Sequence, residues 1–116
     1  MENSDIQRIR RINKYCVDIA QSINRFGKMQ DIFFNDLDYQ NSIAMSIMQI
    51  GELSIGLSDN FKDLTREQIP WGSIRGMRNL FAHDYGKMDK TEIWDVATND
   101  IPKLHQFCKT VLCEGS

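Results

Sequence analysis

A chain of 116 residues, 41% hydrophobic and 26% charged, has the proportions of one ordinary folded domain (residues 1–116), and a net charge of -2 with a pI near 5.6 excludes a nucleic-acid binder that works by bulk positive charge. The apolar runs fall far short of the roughly 20 residues that a membrane span requires, and the amino terminus, MENSDIQRIRR, has no signal-type apolar stretch, so a cytoplasmic protein with no membrane partner is expected. Cys16, Cys108 and Cys113 are an odd set without CxxC spacing, which argues against a disulfide framework or a zinc site and predicts buried thiols in a reducing compartment.

From Ser4 to Phe26, Ile6, Ile9, Ile12, Cys16, Ile19, Ile23 and Phe26 recur every three or four positions, the spacing of one buried helix stripe. Ser4 and Gln7 form a capping-box pair at its start, and Gly27 is a natural stop. Ile32, Phe33 and Phe34 before Asn35-Asp36 predict a short turn of helix. A longer helix follows from about Asp38 to Leu57, with Ile43, Ile47, Ile50, Leu53 and Leu57 inward. Gly51 and Gly56 each weaken that helix by about 1 kcal/mol relative to alanine, and close approach of a neighbouring helix is the expected reason.

Between Ser58 and Pro70 the pattern breaks, and a loop with one turn begun by Thr65 and Gln68 is expected. Pro70 suits the opening of a helix through Trp71, Ile74, Met77 and Phe81, which Gly86 ends. Asp89 caps the last helix, with Glu92 three residues on and Met88 facing Ile93 as a hydrophobic staple. That helix extends to about Cys113, and Pro102 is expected to kink it. No segment alternates like a strand, so the predicted fold is all-α: an up-and-down bundle of four to five helices with a kinked C-terminal helix.

The stretch WGSIRGMRNLFAHDYGK, residues 71–87, concentrates Arg75, Arg78, Asn79, His83, Asp84, Tyr85 and Lys87 around an apolar spine. Arg75, Asn79 and His83 share one helical line, Arg78 and Tyr85 a neighbouring one, and Arg78 and His83 diverge by roughly 140° on an ideal helix. Their convergence therefore requires a helix end near Ala82 or a second copy of the segment. Arginine, histidine and a small amide are what metal-free phosphodiester cleavage needs. An imidazole with an ordinary pKa of about 6.5 exchanges protons with a ribose 2′-hydroxyl and a leaving oxygen near neutral pH. Arg78 would stabilise charge at phosphorus, and Asn79 would orient the histidine or a phosphate oxygen. Acid and base are both wanted, so a single histidine in this segment points to a two-fold dimer with two copies of His83 across one groove.

Arg78-Asn79-Leu80-Phe81-Ala82-His83-Asp84-Tyr85 resembles the R-x4-H-x-Y motif of HepT-type toxins, in the HEPN superfamily of helical ribonucleases. The segment IGELS (Ile50 to Ser54) is similar to that family's Ile-Gly-Glu segment, IPW precedes the motif helix, and the helix order fits over nearly the whole chain. The resemblance implies a HEPN-like bundle. It also implies a homodimeric, metal-independent endoribonuclease toxin without a cofactor, with Arg78 and His83 from two chains lining a cleft for RNA. The implied partner is an MNT-type nucleotidyltransferase antitoxin that silences the toxin by adding AMP to the motif tyrosine, here Tyr85. A phosphate-bearing group beside His83 would occupy the RNA path and repel its backbone.

Because the chain is acidic overall, any RNA groove must draw on local charge: Arg75, Arg78, Lys87 and Lys90, with Arg8, Arg10, Arg11 and Lys14 as further candidates. The run RIRRINK reads more readily as a solvated helix face. Glu52 is expected to support Arg75 or Arg78, against the plainer reading of a solvated glutamate; Arg78 could also pair with Asp84. His105 has no ligand partners nearby and is assigned no chemistry, while Met29, Met45, Met48 and Met77 read as core or interface filler. The competing class is a non-catalytic helical module that docks a nucleotidyltransferase or binds a nucleotide through the same polar surface.

Overall fold

The computed structural model describes residues 3–87 and 89–115, excluding the side chains of Asp84 and Tyr85. The described residues are helical and contain no strand: α1 (Asn3–Phe26), α2 (Gln30–Asn35), α3 (Leu37–Ile55), α4 (Asp59–Thr65), α5 (Trp71–Asp84), a single 3₁₀ turn (Tyr85–Lys87), then α6 (Lys90–Asp95) and α7 (Ile101–Gly115). A π-helical turn (Val96–Asp100) joins α6 to α7 without a break. Four long helices, α1, α3, α5 and α7, thus carry the fold, and three short ones, α2, α4 and α6, lie between them in sequence. No described helix is long and apolar enough to cross a membrane.

Ile9, Ile12, Cys16 and Ile19 of α1 are buried, as the spacing demands, and each fully buried isoleucine contributes about 1.5–3 kcal/mol. The helix is already formed at Asn3, so Ser4 lies inside its first turn rather than capping it. Gly27 ends α1 in the left-handed region (φ 114°), its N–H donating to the Ile23 carbonyl at 2.9 Å. Phe33 of α2 is fully buried, edge-on to Tyr39 (5.1 Å) and close to Trp94 (5.2 Å), while Tyr39 stacks on Phe26 at 4.8 Å. Gln40 donates through Nε2 to the carbonyls of Phe33 and Phe34, which ties α2 to the start of α3.

The chain from 58 to 70 is not the expected loop. Residues Asp59–Thr65 form α4, whose N-cap is Ser58, its Oγ accepting from the Phe61 N–H at 3.2 Å. What sets Ser58 in place is distant in sequence: its N–H and Oγ donate to the two oxygens of Asp5, at 2.8 and 2.6 Å, and that carboxylate is 1% exposed. Thr65 and Trp71 complete the join. The Trp71 indole N–H donates to Thr65 Oγ1 at 2.9 Å, and its ring packs with Phe61 and Phe107. The first turn of α5 is therefore anchored on both α4 and α7.

Asp89 caps α6, accepting from the Thr91 N–H at 2.9 Å; the Met88–Ile93 staple lies outside the described residues. The disturbance expected at Pro102 is taken up ahead of it, in the π turn. Proline has no N–H and crowds the carbonyl four residues back, and the widened turn avoids that clash, with the Ile101 N–H reaching the Val96 carbonyl.

Helix α1 runs antiparallel to α3, with Ser22 hydrogen-bonded to Ser42 at one end and Asp5 to Ser58 at the other. It also packs on α7, whereas α5 packs mainly on α3 and so occupies an edge of the bundle. Of the cysteines, Cys16 and Cys108 are buried but Cys113 is exposed near the end of α7, against the expectation of three buried thiols. Burial pushes the Cys108 thiol up to about 12 and Cys16 higher still, with Cys108 adding to the effect. Brief alkylation of the native protein is expected to modify Cys113 and spare the other two, read by peptide mass; comparable labelling of Cys16 would contradict this packing.

Candidate functional site

The site begins with a glycine. Gly51 is buried on α3, and a Cβ built there would overlap Arg78 Cβ and stand 3.4 Å from Arg78 Cα. Helices α3 and α5 therefore touch backbone to backbone at this level, the close approach predicted from the weakened helix. Gly56 is different: it is the C-cap of α3, and what faces it is the guanidinium of Arg8, a cation over carbonyls at a helix C-terminus.

Seated against Gly51, Arg78 lies on the inner flank of α5 and turns to the residue next along α3. Its Nε donates to Glu52 Oε1 at 2.6 Å, its Nη2 lies 2.5 Å from the same oxygen, and its Nη1 donates to Asn79 Oδ1 at 3.0 Å. The pair is partly exposed, 29% for the Arg78 side chain and 48% for Glu52, so water still reaches both. Of the partners expected for Arg78, Glu52 holds it, while the Asp84 side chain lies outside the described residues; Arg75 is exposed on the outer face.

Helix α5 does not end near Ala82. It continues to Asp84, so Arg78 and His83 keep the roughly 140° divergence of an ideal helix. His83 is exposed, on the outer face with Arg75 and Asn79. That face is unusually bare: Gly72 and Gly76 lie along it with no atom within 4 Å of where a Cβ would stand, and Leu80 beside them is 46% exposed. Inner positions of the same helix, Trp71 and Phe81, are buried, and Ile74 and Met77 pack against the core.

The structure thus joins Arg78, Glu52 and Asn79 in one polar group, carries His83 outward on the same helix, and leaves Lys87 exposed in the turn beyond it. The Tyr85 side chain lies outside the described residues. Arg10, Arg11 and Lys14 are exposed on α1, whose packing partners are α3 and α7, in keeping with a solvated face. Met29 and Met45 are 59% and 57% exposed, so they are not core residues, while Met48 and Met77 pack against the core. His105 is half-buried, its pKa lowered by burial and by Lys109. Among the described residues no group of three or more His, Cys, Asp or Glu side chains is placed to hold a metal ion.

Two features of this region escaped the sequence. One is the hydrogen-bond chain from Thr65 to Trp71 that fixes the start of α5; the other is the bare strip of Gly72 and Gly76, whose spacing of four was the available signal.

Residues 6–111 match the family described as Ribonuclease HepT-like. Two similar proteins bear the name Putative RNase: MJ1380 of Methanocaldococcus jannaschii, 26% identical over 107 residues (88% of this chain and 97% of the relative), and TTE0752 of Caldanaerobacter subterraneus subsp. tengcongensis, 29% identical over 80 residues (69% and 70%). No solved structure matches the chain.

Proposed function

The chain belongs to the HepT-like ribonuclease family, and on that premise we propose that it is a metal-independent endoribonuclease toxin whose cleavage site is shared between two copies of α5. The observation that carries the reading is the divergence of Arg78 and His83 on an unbroken helix whose outer face is bare. One segment cannot close Arg78 and His83 around a phosphate. Two segments related by a two-fold axis can, because Gly72 and Gly76 permit close helix approach and Leu80 supplies apolar surface to bury.

In the shared groove, one His83 imidazole takes the proton of the ribose 2′-hydroxyl. The oxygen attacks phosphorus, the bond to the 5′-oxygen breaks, and the second His83, as imidazolium, protonates the leaving oxygen. The products are a 2′,3′-cyclic phosphate and a 5′-hydroxyl. Arg78 offsets the charge that gathers on the phosphoryl oxygens, and Asn79 helps to fix its guanidinium. Arg75 and Lys87, both exposed, supply local attraction for the RNA backbone.

Control of such an activity is assigned to an MNT-type nucleotidyltransferase antitoxin that transfers AMP to Tyr85. Two residues beyond His83, an added phosphodiester would place negative charge and bulk in the RNA path. Purified dimer in EDTA is expected to cleave RNA, and protein pre-treated with the nucleotidyltransferase and ATP is expected to gain AMP mass and lose cleavage, with both effects absent in Tyr85→Phe. RNA left intact by unmodified protein would favour the rival reading, a helical module that only docks the transferase or a nucleotide. A mass gain retained in Tyr85→Phe would move the modification elsewhere.

A further inference from the structure

Resting on the ribonuclease reading, we propose that Glu52 is a positioning residue that holds the Arg78 guanidinium for the reacting phosphate at the expense of affinity for RNA in the ground state.

The geometry is specific. An arginine has five N–H donors; Nε and one hydrogen of Nη2 are committed to Glu52 and one hydrogen of Nη1 to Asn79, which leaves one donor on each Nη for a phosphate. The Arg78 stem is fixed at its root by Gly51, and Glu52 and Asn79 fix its tip, so the two remaining donors are presented in one orientation. A long side chain at 29% exposure would otherwise disperse over many rotamers, and misplacing a catalytic group by about 1 Å is enough to cost about 100-fold in rate.

The same carboxylate opposes binding. It lies 2.5 Å from Nη2, and RNA brought to Arg78 places a second anion beside it. Glu52 therefore weakens the initial complex while ordering the group that stabilises the transition state, and the two effects separate in kinetics. A carboxylate that merely decorated the surface of α3 would shift RNA affinity through its charge alone and leave kcat unchanged.

The experiment compares Glu52→Ala and Glu52→Gln with the parent. Turnover is measured on a fluorescent oligoribonucleotide, and affinity for the same RNA is measured in the non-cleaving His83→Ala background. Glu52→Ala is expected to lower kcat by about 10- to 100-fold while tightening RNA binding by about 2- to 5-fold. Glu52→Gln keeps an acceptor for Nε and Nη2 without the charge; it is expected to bind RNA more tightly as well, yet retain kcat within about 3-fold of the parent. Glu52 is 48% exposed, so both variants are expected to melt near the parent temperature, which separates loss of positioning from loss of fold.

Unchanged kcat in Glu52→Ala overturns the proposal, as does a Glu52→Gln variant as slow as Glu52→Ala, which would make the charge and not the position the operative feature. Weaker RNA binding in Glu52→Ala also overturns it. Failure of the parent protein itself to cleave removes the ribonuclease reading and this proposal with it, whereas a cleaving parent with a normal Glu52→Ala removes this proposal alone.

Discussion

Mixed dimers of one wild-type chain and one His83→Ala chain are expected to cleave RNA at about a hundredth of the wild-type rate or less, not at half of it. The proposed groove uses two imidazoles, one as base and one as acid, and each such proton transfer is worth about 10²- to 10⁴-fold. Removing either therefore disables the whole groove. Two self-sufficient chains would instead lose only the mutated half. Differently tagged chains, co-expressed and purified through both tags, isolate the mixed species for assay, and its cell-growth counterpart is suppression of toxicity by excess His83→Ala protein. Because His83 is exposed on α5, the substitution is expected to leave thermal stability unchanged. Half-activity in the mixed species, or a monomer by sedimentation at assay concentration, would end the shared-groove account.

Gly51→Ala is the second strong expectation, because it tests the packing that sets Arg78. The new methyl group collides with Arg78 Cβ, and α5 must move off α3 to admit it. Overpacking of this kind costs about 1–3 kcal/mol, of which about 1 kcal/mol is offset by the better helix propensity of alanine. A net loss of about 1 kcal/mol lowers Tm by about 4–6 °C for a chain of this size. Activity is expected to fall further than stability, by about 100-fold, since the shift displaces Arg78 from the scissile phosphate. Gly56→Ala is the matched control. Its backbone lies in the ordinary helical region (φ -80°), and the new methyl would meet only the guanidinium of Arg8, on a long side chain that can swing aside. Full activity and an equal or higher Tm are expected there; full activity in Gly51→Ala as well would mean that the seat of Arg78 does not matter.

The strongly periodic elements were legible from the residues alone. The Ile9–Ile12–Cys16–Ile19 stripe, the glycine stop at Gly27, the short helix around Phe33 and the Asp89 cap all rest on contacts within one or two turns, and local spacing encodes those. The segment 58–70 departs from its local pattern for the opposite reason. Its composition resembles a loop, and it folds as α4 because Ser58, the cap, is bonded to Asp5, 53 positions earlier. The exposure of Cys113 likewise depends on which face α7 leaves uncovered, something a residue's own hydrophobicity does not fix.

For the candidate site the division is the same. The residues at 71–87 already contained the arginine, amide, histidine and tyrosine of the motif, their helical context, and the angle that keeps Arg78 and His83 apart. Packing decided that Glu52 holds Arg78, that α5 runs on past Ala82, and that its outer face stays bare. Helical periodicity carries information over three or four residues. The Glu52–Arg78 contact spans 26, and it exists only because Gly51 lets two helices meet at that level.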